Sequence, residues 1–269
     1  MSVHSSIHEE IKEQQQKTKD MSTKGKLSYF WYYYKVHTIV VVAVITIVGM
    51  FIHQFITNKD YAFYASIINA DYSNLEENQW GPEFEEYADI DTEEYQAYID
   101  TSIMLTDDDS SQYSMSNTEK MLAMLQTGII DVIVADTETF ENYAQYEYFV
   151  NLEEVLPEDV FAKYEDCLYY TDMATVDTGD DDTFYTESEL ENPADLVINH
   201  RDPSTMENPV PVGIILSKGN KIMDAGCYDY LAEAQTTYQG YPSEAILGIP
   251  VTSTKLDTVL KFLTFMEEQ

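Results

Sequence analysis

No Asp, Glu, Lys or Arg occurs in residues 36–56, and the centre of that stretch reads Ile39-Val40-Val41-Val42-Ala43-Val44-Ile45-Thr46-Ile47-Val48. About 20 apolar residues at ~1.5 Å rise each are what a helix needs to cross ~30 Å of hydrocarbon. Ten of residues 38–52 are Ile, Val or Phe, and near a helix centre they supply roughly −3 to −6 kcal/mol of insertion free energy. Such a β-branched run is a mediocre helix in water. In lipid the backbone must pair internally, so a lone segment has to be helical. The competing reading, a buried strand or core helix, fits poorly: the run is too long for a strand and uncharged on every side.

The flanks give the direction. Lys12, Lys17, Lys19, Lys24, Lys26 and Lys35 precede the stretch, whereas Lys59 alone follows it before Lys120. The positive-inside rule therefore places the N-terminus in the cytoplasm and the C-terminal domain outside the cell. Tyr29-Phe30-Trp31-Tyr32-Tyr33-Tyr34 reads as an aromatic belt at the inner interface, where ring and hydroxyl each find their preferred medium. A cleaved signal peptide would need a small-x-small site after the apolar run, and His53-Gln54-Phe55-Ile56 is bulky. The expectation is an uncleaved anchor: residues 1–35 a cytoplasmic tail and aromatic interface, 36–56 a transmembrane helix, and 57–269 an acidic extracellular α/β domain.

Charge narrows the function classes. Residues 1–56 hold six Lys against four acids, a balance of +2; with the whole chain at −35, the rest carries −37. Phosphate backbones would be repelled, so nucleic acid is excluded as a partner. The lipid bilayer, through residues 36–56, is the one partner the sequence names directly. Cations, basic peptides or neutral solutes suit the outer domain, and solubility at a cell surface explains the same charge. An oxidising exterior permits Cys167 and Cys227 to pair.

Beyond the apolar run, strand and helix patterns alternate. Residues 62–68 read as a strand, 82–87 as a helix and 98–105 as a second strand. Ser116 or Asn117 then caps a helix that runs to Gln126 with Gly128 as its stop. Asp131-Val132-Ile133-Val134-Ala135-Asp136 is an apolar strand of the buried parallel kind, and Asp136 or Thr137 opens the next helix. This βαβαβα order is the signature of an α/β sheet with right-handed crossovers. Further strands are expected at residues 195–198, 211–216 and 246–251. Ser253 or Thr254 caps a last amphipathic helix bearing Leu256, Val259, Leu260, Leu263 and Met266.

Several of these segments resemble a family. Residues 118–135, a helix ended by Thr127-Gly128 and followed by Asp131-Val132-Ile133-Val134, are similar to a segment of bacterial extracellular solute-binding proteins of the type II periplasmic-binding-protein-like kind. Phe149-Val150-Asn151-Leu152-Glu153-Glu154-Val155-Leu156 looks like the segment that usually follows. The ending, Gly248-Ile249-Pro250 through Lys261-Phe262-Leu263, resembles that family's return strand and final helix. Leu27-Ser28-Tyr29-Phe30-Trp31 before the apolar run looks like a junction in single-span proteins of Gram-positive bacteria. The resemblance implies a bacterial cell-membrane location and capture of a small molecule, sugar or peptide, with an ABC transporter permease as partner. It also implies a main lobe of residues 60–160 and 246–269, with 164–245 left for a reduced second lobe. The alternative is a non-catalytic cell-surface interaction module using the same fold.

Ligands of open α/β sheets sit beyond the carboxyl ends of strands. That nominates Asp71 and Tyr72 after the first strand, Asp107 after the second, and Asp136 and Thr137 after the third. Helix capping is the competing reading for Asp136 and Thr137, a turn for Asp71, and a solvated loop for Asp107. Arg201, the chain's one Arg, stands next to His200 and offers a fork for a carboxylate ligand; pairing with local acids is the competing use. Asp107-Asp108-Asp109 and Asp180-Asp181-Asp182 lack the Gly that an EF-hand loop carries at its sixth position. There is no Gly-x-Ser-x-Gly, His-Glu-x-x-His or phosphate loop. No enzyme activity, cofactor or metal is expected.

Overall fold

The computed structural model describes residues 12, 21–57, 59–73, 75–105, 112–174, 199–232 and 241–268. The chain divides into two compact units, residues 1–58 and 59–269. The first is dominated by helix α1 (Thr23–Thr57), 35 residues long, or about 52 Å at the usual rise. Among the described residues it is the one helix long and apolar enough to cross a membrane.

Helix α1 begins well before the apolar run. Ser22 starts it, its side chain accepting from the Gly25 N–H at 3.3 Å and its carbonyl from Lys26 at 2.9 Å. The aromatic belt is therefore helical, and its rings pair four residues apart: Tyr29 with Tyr33 at 4.5 Å and Phe30 with Tyr34 at 5.4 Å between centroids. The hydroxyl of Thr46 donates to the Val42 carbonyl at 2.9 Å, which satisfies it inside the helix, as an apolar solvent requires.

The second unit is a mixed α/β fold around one six-stranded sheet. Its elements run β1 (Asp60–Ile67), α2 (Gly81–Ala88), β2 (Tyr95–Asp100), α3 (Gln112–Gln126), β3 (Val132–Asp136), α4 (Thr137–Ala144), α5 (Leu152–Val155), α6 (Glu158–Tyr164), β4 (Leu168–Asp172), β5 (Pro209–Ile215), α7 (Lys221–Asp224), β6 (Ala245–Gly248) and α8 (Leu256–Glu267). The strand order is β2-β1-β3-β6-β5-β4. β1 is parallel to both β2 and β3, as the alternating pattern predicts. β6 returns antiparallel between β3 and β5, and β4 lies antiparallel to β5. The stretch expected as a reduced second lobe thus contributes, in its described residues, β4 and β5 to this same sheet.

Alternation along the strands builds a layer on each face. Phe63, Ala65, Ile67, Val132 and Val134 face α2 and α8, where Phe84, Phe262 and Phe265 pack. Tyr64, Ile68, Ile133 and Ala135 face α3 and α4, with Met121, Leu125 and Phe140. Phe63 lies 4.9 Å from Phe84 and 4.7 Å from Phe262 between centroids. On the other face Phe140 stacks on Phe149 at 4.2 Å and 4°. Gly248 of β6 makes room for that pair: a Cβ there would lie 2.6 Å from Phe149 and 2.7 Å from Phe140.

The outer edge of β2 is closed by side chains. Asn78 donates to the Ala97 carbonyl at 3.0 Å and accepts from Ile99 at 2.7 Å, while Glu85 accepts from Ala97 at 2.8 Å. An edge covered this way offers no template to another strand.

Two helix starts differ from expectation. α3 starts at Gln112, so Ser116 and Asn117 lie inside it; Asn117 instead donates to the Met104 carbonyl at 2.8 Å. α8 starts at Leu256 behind Lys255, without a side-chain cap. Ser253 is drawn to Asp131, donating its hydroxyl at 2.9 Å. Gly128 does stop α3, at φ +67°, and Asp136 does cap α4, accepting from the Thr139 N–H at 3.0 Å. The strand expected at 195–198 lies outside the described residues, and β4 is an addition.

Asp131 is fully buried and takes three donors: the Tyr64 N–H at 3.0 Å, Lys255 Nζ at 3.1 Å and Ser253. Replacing Asp131 with Ala should cost about 2–3 kcal/mol, since it leaves a buried amide unpaired and deprives a partly buried ammonium of its carboxylate. Urea unfolding checks this, and a loss below about 1 kcal/mol would contradict the assignment. Gly248→Ala should cost about 1–3 kcal/mol through displacement of the Phe140–Phe149 stack, read as a lower unfolding midpoint with an unchanged slope.

Candidate functional site

At the carboxyl ends of β3 and β5 lies a small cavity of about 50 Å³, its wall more apolar than polar. Thr137 and Glu141 of α4 line one side, Tyr169 of β4 and the 199–201 turn another, and Tyr241, Pro242 and Glu244 close it. Two of the residues nominated from sequence, Thr137 and Arg201, meet here, and both hold Glu244. The Thr137 hydroxyl accepts from the Glu244 N–H at 2.8 Å and lies 3.2 Å from its carbonyl. Arg201 forks onto the Glu244 carboxylate, with Nε 2.9 Å from Oε2 and Nη2 against Oε1.

His200 is fixed more firmly than its neighbour. Its carbonyl accepts from the Tyr170 N–H at 2.8 Å, and its Nδ1 lies 2.7 Å from the Tyr170 carbonyl. The outward backbone groups of β4 at Tyr170 are therefore both occupied by one residue. The imidazole stacks on Tyr169 at 4.5 Å and 6° between planes. Its Nε2 then points to Glu141, 3.4 Å from Oε1. Both side chains are largely buried.

The other nominated residues do not line the cavity. Asp136 is buried, and beyond capping α4 its carboxylate accepts from Thr139 Oγ1 at 3.0 Å and from Asn69 Nδ2 at 2.8 Å. Asn69 sits at φ +57° and also accepts from Leu105 at 2.7 Å, so this group ties the ends of β1 and β3 together. Asp71 is exposed and folds back on the N–H and hydroxyl of Ser73, whose hydrogen bonds hold its carboxyl below the usual range. Tyr72 is exposed. Asp107 lies outside the described residues.

At the carboxyl end of β2 the prominent acid is Asp100. It is almost wholly buried, and it accepts from Ser102 N at 2.9 Å, Ser102 Oγ at 2.6 Å, Tyr64 Oη at 2.6 Å and Lys120 Nζ at 3.2 Å. Burial alone would raise its carboxyl; the Ser102 and Tyr64 hydrogen bonds and the Lys120 charge outweigh it and hold the group below the ordinary range. Cys167 and Cys227 are free thiols. Burial pushes Cys227 up to about 11, which makes it a poor nucleophile near neutral pH. Among the described residues no cluster of three or more His, Cys, Asp or Glu is placed to hold a metal ion.

Sequence reasoning missed Glu141, Tyr169, Tyr241 and Glu244. Glu141 carried a usable signal, because it stands four residues after Thr137 and so shares its helix face. Tyr169 had none, since β4 was not read. Comparison with protein-family models, with curated proteins and with solved structures returns no match.

Asp100 gives a pH prediction. Its folded carboxyl titrates below the unfolded value, so the stabilisation it supplies is present above about pH 4 and is lost as pH falls through the folded value. The stability gap between the wild type and Asp100→Asn should be open at pH 6 and narrower at pH 3. Paired urea titrations at both pH values measure it, and a gap independent of pH would refute the assignment.

Proposed function

We propose that the protein is a single-pass membrane protein, with α1 in the bilayer and its N-terminus in the cytoplasm, whose outer α/β domain recognises a projecting end group of a peptide or protein partner without turnover. The cavity at the carboxyl ends of β3 and β5 carries this reading. It sets polar groups in a largely apolar wall, it is assembled from five separate parts of the chain, and at about 50 Å³ it suits one functional group. Sites that swallow a whole small ligand usually measure about 300–1,000 Å³.

The strand order supports a kinship with one lobe of a solute-binding-protein-like fold: three parallel strands in the order β2-β1-β3, then a late strand returning antiparallel beside β3. Delivery of a free sugar or amino acid to an ABC transporter permease needs two walls that close on the solute, and the size of the cavity favours the interaction-module alternative. Membrane anchoring rests on the length and apolarity of α1, and the direction on the Lys imbalance around it.

Two measurements test this reading. Protease added to intact cells should digest the acidic domain and spare the N-terminal tail; a protected domain would overturn the orientation. Full-length protein in detergent micelles, screened by NMR against short peptides and free sugars, should show peptides perturbing the Tyr169 and His200 signals. Sugars that raise the melting temperature while peptides leave those signals unmoved would overturn the end-group reading.

A further inference from the structure

A second cavity, of about 420 Å³, lies where the start of α2, α7 and the residue after α8 meet. Its size falls within the range of about 300–1,000 Å³ that ligand sites occupy. Glu83 of α2, Asp224 of α7 and Glu268 just beyond α8 line it, and among the described residues Lys221 is the one cation of the lining. Three carboxylates against one ammonium leave a net charge of −2 at neutral pH. The Lys221 ammonium sits over the Phe265 ring, 4.9 Å from its centroid, which holds it to one wall. Gly219, at φ +98°, turns the chain into α7 and has nothing within 4 Å of where a Cβ would stand. Asp224 accepts from the Gly219 N–H at 3.1 Å and so fixes that turn.

Trp80 distinguishes this cavity from a patch of surface acids. It lines the cavity, yet only 7% of it is exposed. Among the described residues its indole N–H has no hydrogen-bond partner, and it is not one of the enclosed polar atoms that go unpaired. The N–H therefore opens where Trp80 does, on the cavity, and requires an acceptor there.

The occupant has to answer both demands. A simple anion is repelled by the net charge. A metal ion fails on geometry, because among the described residues no three acids stand close enough to share one. The cation must be wide. A guanidinium is planar and carries five N–H donors in a fixed fork, so it can reach carboxylates borne on separate elements; an ammonium is a compact point charge. Within a peptide, an arginine also brings its own backbone carbonyl, which supplies the acceptor for the indole.

We propose that this cavity is a docking site for an arginine residue in an exposed segment of a partner protein, its guanidinium spanning Glu83, Asp224 and Glu268 and its backbone carbonyl accepting from the Trp80 indole. This goes beyond the end-group reading of the cavity at Tyr169 and His200 and does not rest on it. Each exposed carboxylate alone is worth about two- to fivefold in affinity. Selectivity comes from their number and from Trp80, and binding weakens with added salt.

The chain holds two Trp, Trp31 and Trp80, so Trp31→Phe leaves a single indole signal. Full-length Trp31→Phe protein with ¹⁵N-labelled tryptophan, in detergent micelles, is titrated with the N-acetyl amides of arginine, lysine and alanine and with free arginine. The arginine amide should move the Trp80 N–H signal saturably. The lysine amide should bind about threefold more weakly or worse, and the alanine amide should leave the signal in place. Glu83→Gln combined with Glu268→Gln should weaken the arginine amide about tenfold with an unchanged melting temperature, since both side chains are exposed. The proposal is overturned if the arginine amide leaves the Trp80 signal unmoved, if the double variant binds it as well as the parent, or if the lysine or alanine amide binds as tightly. Free arginine binding more tightly than its amide would overturn the peptide source and make this a site for a free amino acid. The Tyr169 and His200 signals report the other cavity separately, so failure here leaves the end-group reading standing.

Discussion

The sheet is held in register at its centre by one buried carboxylate. Asp131 opens β3 and accepts from the backbone of β1 at Tyr64 and from Lys255 and Ser253 just before α8. Lys255 in turn donates to the Tyr61 carbonyl at 3.1 Å. The first and third strands and the last helix thus meet at a single point, though far apart in sequence. A buried charge is stabilising in this way only when each lone pair is used, and here the donors come from three directions.

The opposite ends of the same strands are fixed by different means. The Tyr228 hydroxyl, wholly buried, lies 2.6 Å from the Ile68 carbonyl and 3.1 Å from that of Val134, and Asp136 and Asn69 bridge the turns that follow. The β1 and β3 ends are consequently rigid and spent. Polar capacity is left one position further along the sheet, where β6 returns antiparallel and β5 and β4 are added. That is why the cavity lies toward Tyr169 and His200, and why the acids at the turns after β1 and β3 do not line it.

The parallel half of the sheet was legible because its strands are short apolar runs separated by helix-period segments. The Asp-Val-Ile-Val run of β3 and the Gly128 stop are the plainest cases. Helix starts were less legible: Ser253 has the composition of a cap, yet its hydroxyl donates to the buried Asp131 carboxylate and α8 begins only after Lys255. β4 escaped because Leu168-Tyr169-Tyr170-Thr171-Asp172 has no glycine or proline at its borders and follows directly on a turn. Losing β4 meant losing Tyr169 and the reason for the position of His200. Of the candidate site, Thr137 and Arg201 could be named from position and residue type. Their convergence on Glu244 spans 107 and 43 residues of sequence, a separation no local pattern encodes.

The charge of the acidic domain bears directly on what its cavity can hold. With −37 spread over residues 57–269, the surrounding potential favours any cation and raises its local concentration. At physiological salt that field decays over ~8 Å, so it acts on encounter, while selection falls to groups inside the cavity. An acidic surface and a selective site can therefore coexist: the surface charge acts on the rate of encounter, and the groups lining the cavity act on the choice of partner.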